Sequence, residues 1–172
     1  MRGGPQGDER GPRARTSTEA VWITRTDSCM PTRTAHARWE GTIKEGTGTL
    51  DFGNGAFKGA YSFASRFERG AGTNPEELLG AAHAGCFAMA LSLVLGQAGF
   101  TPSYIDVTAH VTIEPQGGGF TITKSHIVCK ASVHNIDQAT FAKHAEAAKA
   151  NCPVSQALAG TDIMLEATLA GT

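Results

Sequence analysis

Two cysteines in this 172-residue chain stand where a thiol could be made reactive. Cys152 precedes Pro153, a residue favoured at the first position of a helix. Its sulfur is therefore expected near a helix N-terminus, where unpaired amide N–H groups and the helix dipole stabilise a thiolate. Cys86 lies in AAHAGCFAMALS, the middle of an apolar helical stretch, where loss of solvent raises a thiol's pKa and leaves it inert. On local sequence Cys152 is the better nucleophile. A buried cation beside Cys86 would reverse that ranking. At about 4 Å and an effective dielectric near 20, an arginine contributes up to roughly 4 kcal/mol, on the order of three pKa units before desolvation is subtracted. A buried arginine needs a carboxylate to hold it. At about 100° per residue, Glu76 lies about 80° from Cys86 around the helix and Glu77 about 180°, so helical phase selects Glu76. A plainer account of Glu76, a first-turn charge complementing the helix dipole, stands beside this one.

His83 sits one turn before Cys86, and three roles are open to it: base for the cysteine, half of a metal pair, or a core histidine bonded to backbone. H-x-x-C is a weak metal pattern unless further ligands converge on it. Cys129 shares a strand face with Ile127, Ala131 and Val133 and reads as a small buried hydrophobe. Cys29 has no acid, base or partner cysteine near it and reads as an incidental thiol. The four cysteines form no C-x-x-C pair of the zinc-ribbon or thioredoxin type.

The elements that must position these residues follow from pattern. Residues 1–30 are rich in Gly, Pro and Arg, bury too little apolar surface to offset their ordering entropy, and are expected to form a disordered arm; residues 31–172 are expected to form one domain. Short strands broken by glycine follow: TAHARWEG, TGTLDFGNG and GAYSFASRF. In the last, period-two alternation puts Tyr61, Phe63, Ser65 and Phe67 on one side and Arg66 on the other, less apolar side. The glycines of GTGTLDFGNG lead into no helix and no Gly-Lys-Ser, so they mark turns rather than a phosphate loop.

TNPEELLGAAHAGCFAMALSLVLGQAGF carries strong helix signals: Asn74 as N-cap, Pro75 after it, two glutamates in the first turn and Gly99 beyond the end. Its second half is apolar all round. His83, Ser92 and the glutamates interrupt it too often for a bilayer span, and so apolar a helix in so small a domain implies a homodimer that packs it against its copy. SYIDVTAHVTIEP, a glycine turn at 117–119 and FTITKSHIVCKASV form a hairpin; a helix starts at the Asp137 cap, a short one follows at CPVSQALAG, and TDIMLEATL is a strand. Strands segregated from helices indicate an α+β domain with antiparallel sheet.

Composition bounds the partners. With 41% hydrophobic residues, 18% charged, a net charge of −1 and a pI near 6.6, the chain carries no electrostatic footprint for nucleic acid or a membrane surface. The N-terminus shows no secretory pattern, so a cytoplasmic, reducing setting is expected.

SRFERG, then GTNPEELLGAAHAGCFAMALSLVLGQAGF, and later AKANCPVSQAL, resemble the OsmC/Ohr family of thiol-dependent peroxidases, the osmotically inducible branch in particular, over about residues 35–170. The resemblance implies an intertwined homodimer, with antiparallel sheets wrapped around paired central helices and two active sites at the subunit interface. It implies that Cys86 is the peroxidatic residue, Arg66 the cation that ionises it, Glu76 the carboxylate that orients the arginine, and Cys152 the resolving thiol, which reverses the local ranking. It further implies reduction of organic hydroperoxides in preference to hydrogen peroxide within oxidative and osmotic stress defence. By the same resemblance no metal, flavin or haem would be needed, and an external dithiol, such as a lipoyl protein, would be the reductant. Apolar walls such as Phe87 would favour the organic substrates. Two other classes compete: a redox-inactive dimeric protein holding an apolar ligand, and a zinc protein using His83 and cysteines.

Overall fold

The computed structural model describes residues 31–170. The expected N-terminal arm, Cys29 and the last two residues lie outside the described residues. Strands β1 (Ala35–Glu40), β2 (Thr47–Phe52) and β3 (Phe57–Ser62) form an antiparallel meander. A short helix α1 (Phe63–Phe67) and the long helix α2 (Pro75–Gln97) follow, then β4 (Pro102–Gln116), β5 (Gly119–Val133), α3 (Gln138–Asn151), α4 (Pro153–Ala157) and β6 (Asp162–Leu169). The second sheet has the order β4-β5-β6.

Local signals set most of these boundaries. The Asn74 side chain accepts from the Glu77 amide and Pro75 opens α2, while Asp137 accepts from the Thr140 amide to open α3. Gly117 and Gly118, both at positive φ, close the β4–β5 hairpin, a turn that residues with a Cβ adopt at a cost. α2 crosses β4 so closely that a Cβ on Gly80 would stand 2.9 Å from the Ala109 carbonyl oxygen.

Two expectations need correction. Residues 63–67 do not continue β3 as a strand. Ser62 and Ser65 exchange side-chain to backbone hydrogen bonds in a capping box, and Ser65 also donates to the Thr73 carbonyl, so the chain turns into α1. Arg66 therefore leaves the last turn of a helix rather than a strand face. The second sheet, moreover, is antiparallel only between β4 and β5; β6 runs parallel to β5, because α3 and α4 carry the chain back across the sheet before β6 begins.

The core lies between α2, β5 and α3. Phe87, Leu91 and Leu95 meet Ile127, Cys129, Ala131 and Val133 from the strand and Phe141, Ala145 and Ala148 from the second helix. Only one face of α2 is used: its buried residues are Glu76, Gly80, His83, Phe87, Leu91 and Leu95, a spacing of three and four. The opposite face exposes Ala81, Ala82, Gly85, Ser92, Leu93 and Met89, the last 77% exposed. By length and composition α2 could cross a membrane. Its buried face, however, bonds to the rest of the fold, Glu76 to Arg66 on α1 and His83 to Ser125 on β5 and Ser155 on α4.

Candidate active site

α2 carries Cys86 at its middle, and Cys152 caps the N-terminus of α4. The fold brings the two sulfurs to 3.0 Å. Cys152 is fully buried and Cys86 half-buried. Burial, followed by the hydrogen bond in which the Cys86 thiol serves as donor to Cys152, raises the Cys86 pKa, with the Val154 amide acting in the opposite sense. Burial alone would raise Cys152 too, but its bond with Cys86, the Ser155 amide and hydroxyl, and the Val154 amide together bring it below the ordinary value. Within one chain, then, the N-terminus of α4 favours the thiolate on Cys152, as the local sequence anticipates.

The second pair is Arg66 with Glu76. Arg66 Nη2 donates to Glu76 Oε1 at 2.8 Å and its Nε to both carboxylate oxygens at 3.3 Å, a forked pairing that fixes the plane of the guanidinium. Phe67 stacks beneath the guanidinium, 5.1 Å from its carbon. Asn74 Nδ2 donates to the Ser65 carbonyl, tying α1 to the first turn of α2. Glu76 is buried while Glu77 is exposed, as helical phase requires. The ion pair lines an open cavity of about 370 Å³ with Ala109, His110 and Val111, and neither cysteine is among its walls.

The four expected residues thus form two pairs rather than one cluster. Glu76 and Cys86 are ten residues apart on one helix, about 15 Å of rise, and the guanidinium is held at the Glu76 end. Phe87 is completely buried in the core, so it walls no open pocket in a single chain.

The side chain of His83 is held by two serines. Its Nδ1 lies 2.8 Å from Ser125 Oγ and its Nε2 2.9 Å from Ser155 Oγ, so both ring nitrogens are engaged by hydroxyls. It is a core histidine, as one of its three roles supposed, with side-chain hydroxyls in place of backbone. Among the described residues no group of three or more His, Cys, Asp or Glu could hold a metal. Ser125 and Ser155 were missed as functional candidates. Their signal is in the sequence: Ser125 interrupts the inward face of β5 that continues as Ile127, Cys129, Ala131 and Val133, and Ser155 stands three residues after Cys152 at the start of a helix.

The fold and the dithiol define an α+β protein with a close pair of cysteines, one within α2 and one at the start of α4. Residues 68–166 match the family described as OsmC-like protein. The chain is 53% identical over 123 residues to Peroxiredoxin OsmC of Escherichia coli (strain K12), covering 71% of this chain and 86% of that one. It is 31% identical over 99 residues to organic hydroperoxide resistance protein-like 2 of Staphylococcus epidermidis, covering 56% of this chain and 68% of the other. The crystal structure of the organic hydroperoxide resistance protein OhrB of Bacillus subtilis superposes with a TM-score of 0.63 at 25% identity, over 78% of this chain and 98% of that one. The chain belongs to the OsmC-like family.

Proposed function

We propose that this chain is a thiol-dependent peroxidase that reduces organic hydroperoxides in preference to hydrogen peroxide, with Cys86 as the peroxidatic residue and Cys152 as the resolving one. The observation that carries this reading is the 3.0 Å approach of the two sulfurs. Membership of a family that includes a peroxiredoxin and organic hydroperoxide resistance proteins supports the substrate class.

The Cys86 thiolate attacks one oxygen of the hydroperoxide. An S–O bond forms, the O–O bond breaks, the alkoxide takes a proton and leaves as alcohol, and the sulfur, oxidised by two electrons, is a sulfenic acid. Cys152 then attacks that sulfur; the S–S bond forms, the S–O bond breaks and water leaves. An external dithiol, such as a lipoyl protein, reopens the disulfide by exchange and is itself oxidised.

Arg66 ionises Cys86 and stabilises charge on the peroxide oxygens, and Glu76 fixes its plane. About 15 Å of α2 separates Glu76 from Cys86 within a chain, so the cation acts on the Cys86 of a second copy. The exposed small and apolar face of α2, with Gly85 open to close approach and Met89 beside it, is the surface on which that copy packs. Each site of the homodimer is then built from the dithiol of one protomer and the ion pair of the other. The enzyme works in the reducing cytoplasm, in oxidative and osmotic stress defence.

The test is titration of the reduced protein with cumene hydroperoxide followed by disulfide mapping. A Cys86–Cys152 disulfide at one equivalent is expected; free thiols after excess peroxide would leave the redox-inactive binding protein as the better account.

A further inference from the structure

Phe120 is a large apolar side chain that the core does not claim. It stands directly after the glycine turn of the β4–β5 hairpin, opposite Pro115, and is 58% exposed. Its ring nevertheless has a neighbour, the ring of Phe67, with centroids 4.7 Å apart. Phe67 also meets Phe63, one turn earlier in α1, at 5.0 Å, and it is the ring that lies beneath the Arg66 guanidinium. Three rings, two from α1 and one from the hairpin, thus gather at the cation.

The reason the cation needs them lies in the element that carries it. The fork to Glu76 holds Nε and Nη2 and leaves Nη1 without a hydrogen-bond partner among the described residues. That fork fixes the guanidinium only while α1 keeps its place. α1 has five residues, too few to be stable through its own backbone bonds. Its first turn is tied by the Ser62–Ser65 exchange and by Asn74 on the Ser65 carbonyl. Its last turn carries Arg66 and Phe67, and the ring contact with Phe120 joins that turn to the second sheet.

We infer that Phe120 is a positioning residue for Arg66: by backing Phe67 it fixes the last turn of α1, and with it the direction in which the unbonded Nη1 edge of the guanidinium points. This role rests on Arg66 being the cation that serves Cys86, as proposed above, and concerns the peroxide step alone. Phe120 makes and breaks no bond; it acts through Phe67. The exposure of its ring keeps the role open to test, since truncation gives up little buried area and Gly117 and Gly118 still close the hairpin.

Single-turnover loss of peroxide tests the role, with cumene hydroperoxide and hydrogen peroxide compared on the same proteins. Phe120→Ala is expected to slow the first step about fivefold, by the same factor for both peroxides, with a urea unfolding midpoint close to that of the wild type. Phe120→Tyr, which keeps the ring, should restore the rate. In an Arg66→Ala background Phe120→Ala should add nothing, because its effect runs through the guanidinium. A merely structural role would lower the urea midpoint and would multiply with the loss in Arg66→Ala. A wild-type rate in Phe120→Ala, no rescue by tyrosine, or a multiplied loss in the double variant overturns the inference. So does a loss confined to cumene hydroperoxide, which would set the ring against the organic group of the substrate. A first step left unchanged by Arg66→Ala overturns the parent reading, and this inference with it.

Discussion

Cys152 Sγ stands 3.0 Å from Cys86 Sγ although 66 residues separate them in the chain. A disulfide bond is about 2.05 Å long, so closing it from this geometry asks for a shift of about 1 Å, not for the opening of a segment. Resolution should therefore be fast and intramolecular.

The two sulfurs have unequal fates when either is removed. Cys86→Ser is expected to abolish turnover of cumene hydroperoxide. Cys152→Ser should still consume about one equivalent and leave a trappable sulfenic acid. Stopped-flow peroxide loss with mass analysis checks both, and the opposite pattern would invert the assignment of roles.

Arg66→Ala should slow the first step by about tenfold or more, since it removes the cation proposed to ionise Cys86. Because that cation is placed across the interface, mixing subunits gives a sharper outcome. A heterodimer of one Cys86→Ser chain and one Arg66→Ala chain contains one intact site and one doubly disabled site. Activity near half that of the wild-type dimer is expected, although each parent homodimer is impaired. No recovery above the parents places Arg66 beside the cysteine of its own chain.

Stability should depend on pH through His83. Its pKa is lowered by burial from an ordinary value of 6.5, so the unfolded chain takes up this proton at a higher pH than the folded one. The contribution is complete above about 6.5 and is lost as pH falls through the folded value. Urea unfolding midpoints measured from about pH 7.5 down to about 5.5 should decline, and His83→Gln should flatten that slope. An equal slope in the variant assigns the effect to other groups.

Cys129 should be silent. Burial, reinforced by the charge of Asp106, pushes its thiol up to about 11. At pH 8 roughly one molecule in a thousand is then ionised. Iodoacetamide is expected to spare Cys129 in the folded protein and to label it after denaturation; labelling in the folded state would mean that the core opens.

Much of this architecture was legible beforehand because its signals are local. Asn74 and Pro75 announce α2, Asp137 announces α3, and Gly117 and Gly118 close a hairpin whose strands alternate cleanly. The stretch from Phe63 to Phe67 misleads because aromatics four apart fit a strand and a helical turn equally well. What decides is the reciprocal bonding of Ser62 and Ser65, helped by Thr73. The parallel placement of β6 depends on where two helices return the chain, which no local pattern records. For the site, phase around α2 picks Glu76 over Glu77, yet the partners of His83 come from 42 and 72 residues away and have no signature in its neighbourhood. The separation of the ion pair from the dithiol is a matter of helix length along the axis, and the phase angle is blind to it.

Because the paired sulfurs lie so far apart along the chain, joining them would tie β4, β5 and α3 into a covalent ring. For a loop of that size the lost freedom of the unfolded chain amounts to about 4 kcal/mol in the chain-entropy treatment. The spent enzyme awaiting its reductant would then be the tougher form of the molecule, and an oxidative burst would harden the protein against unfolding and proteolysis while it is being used.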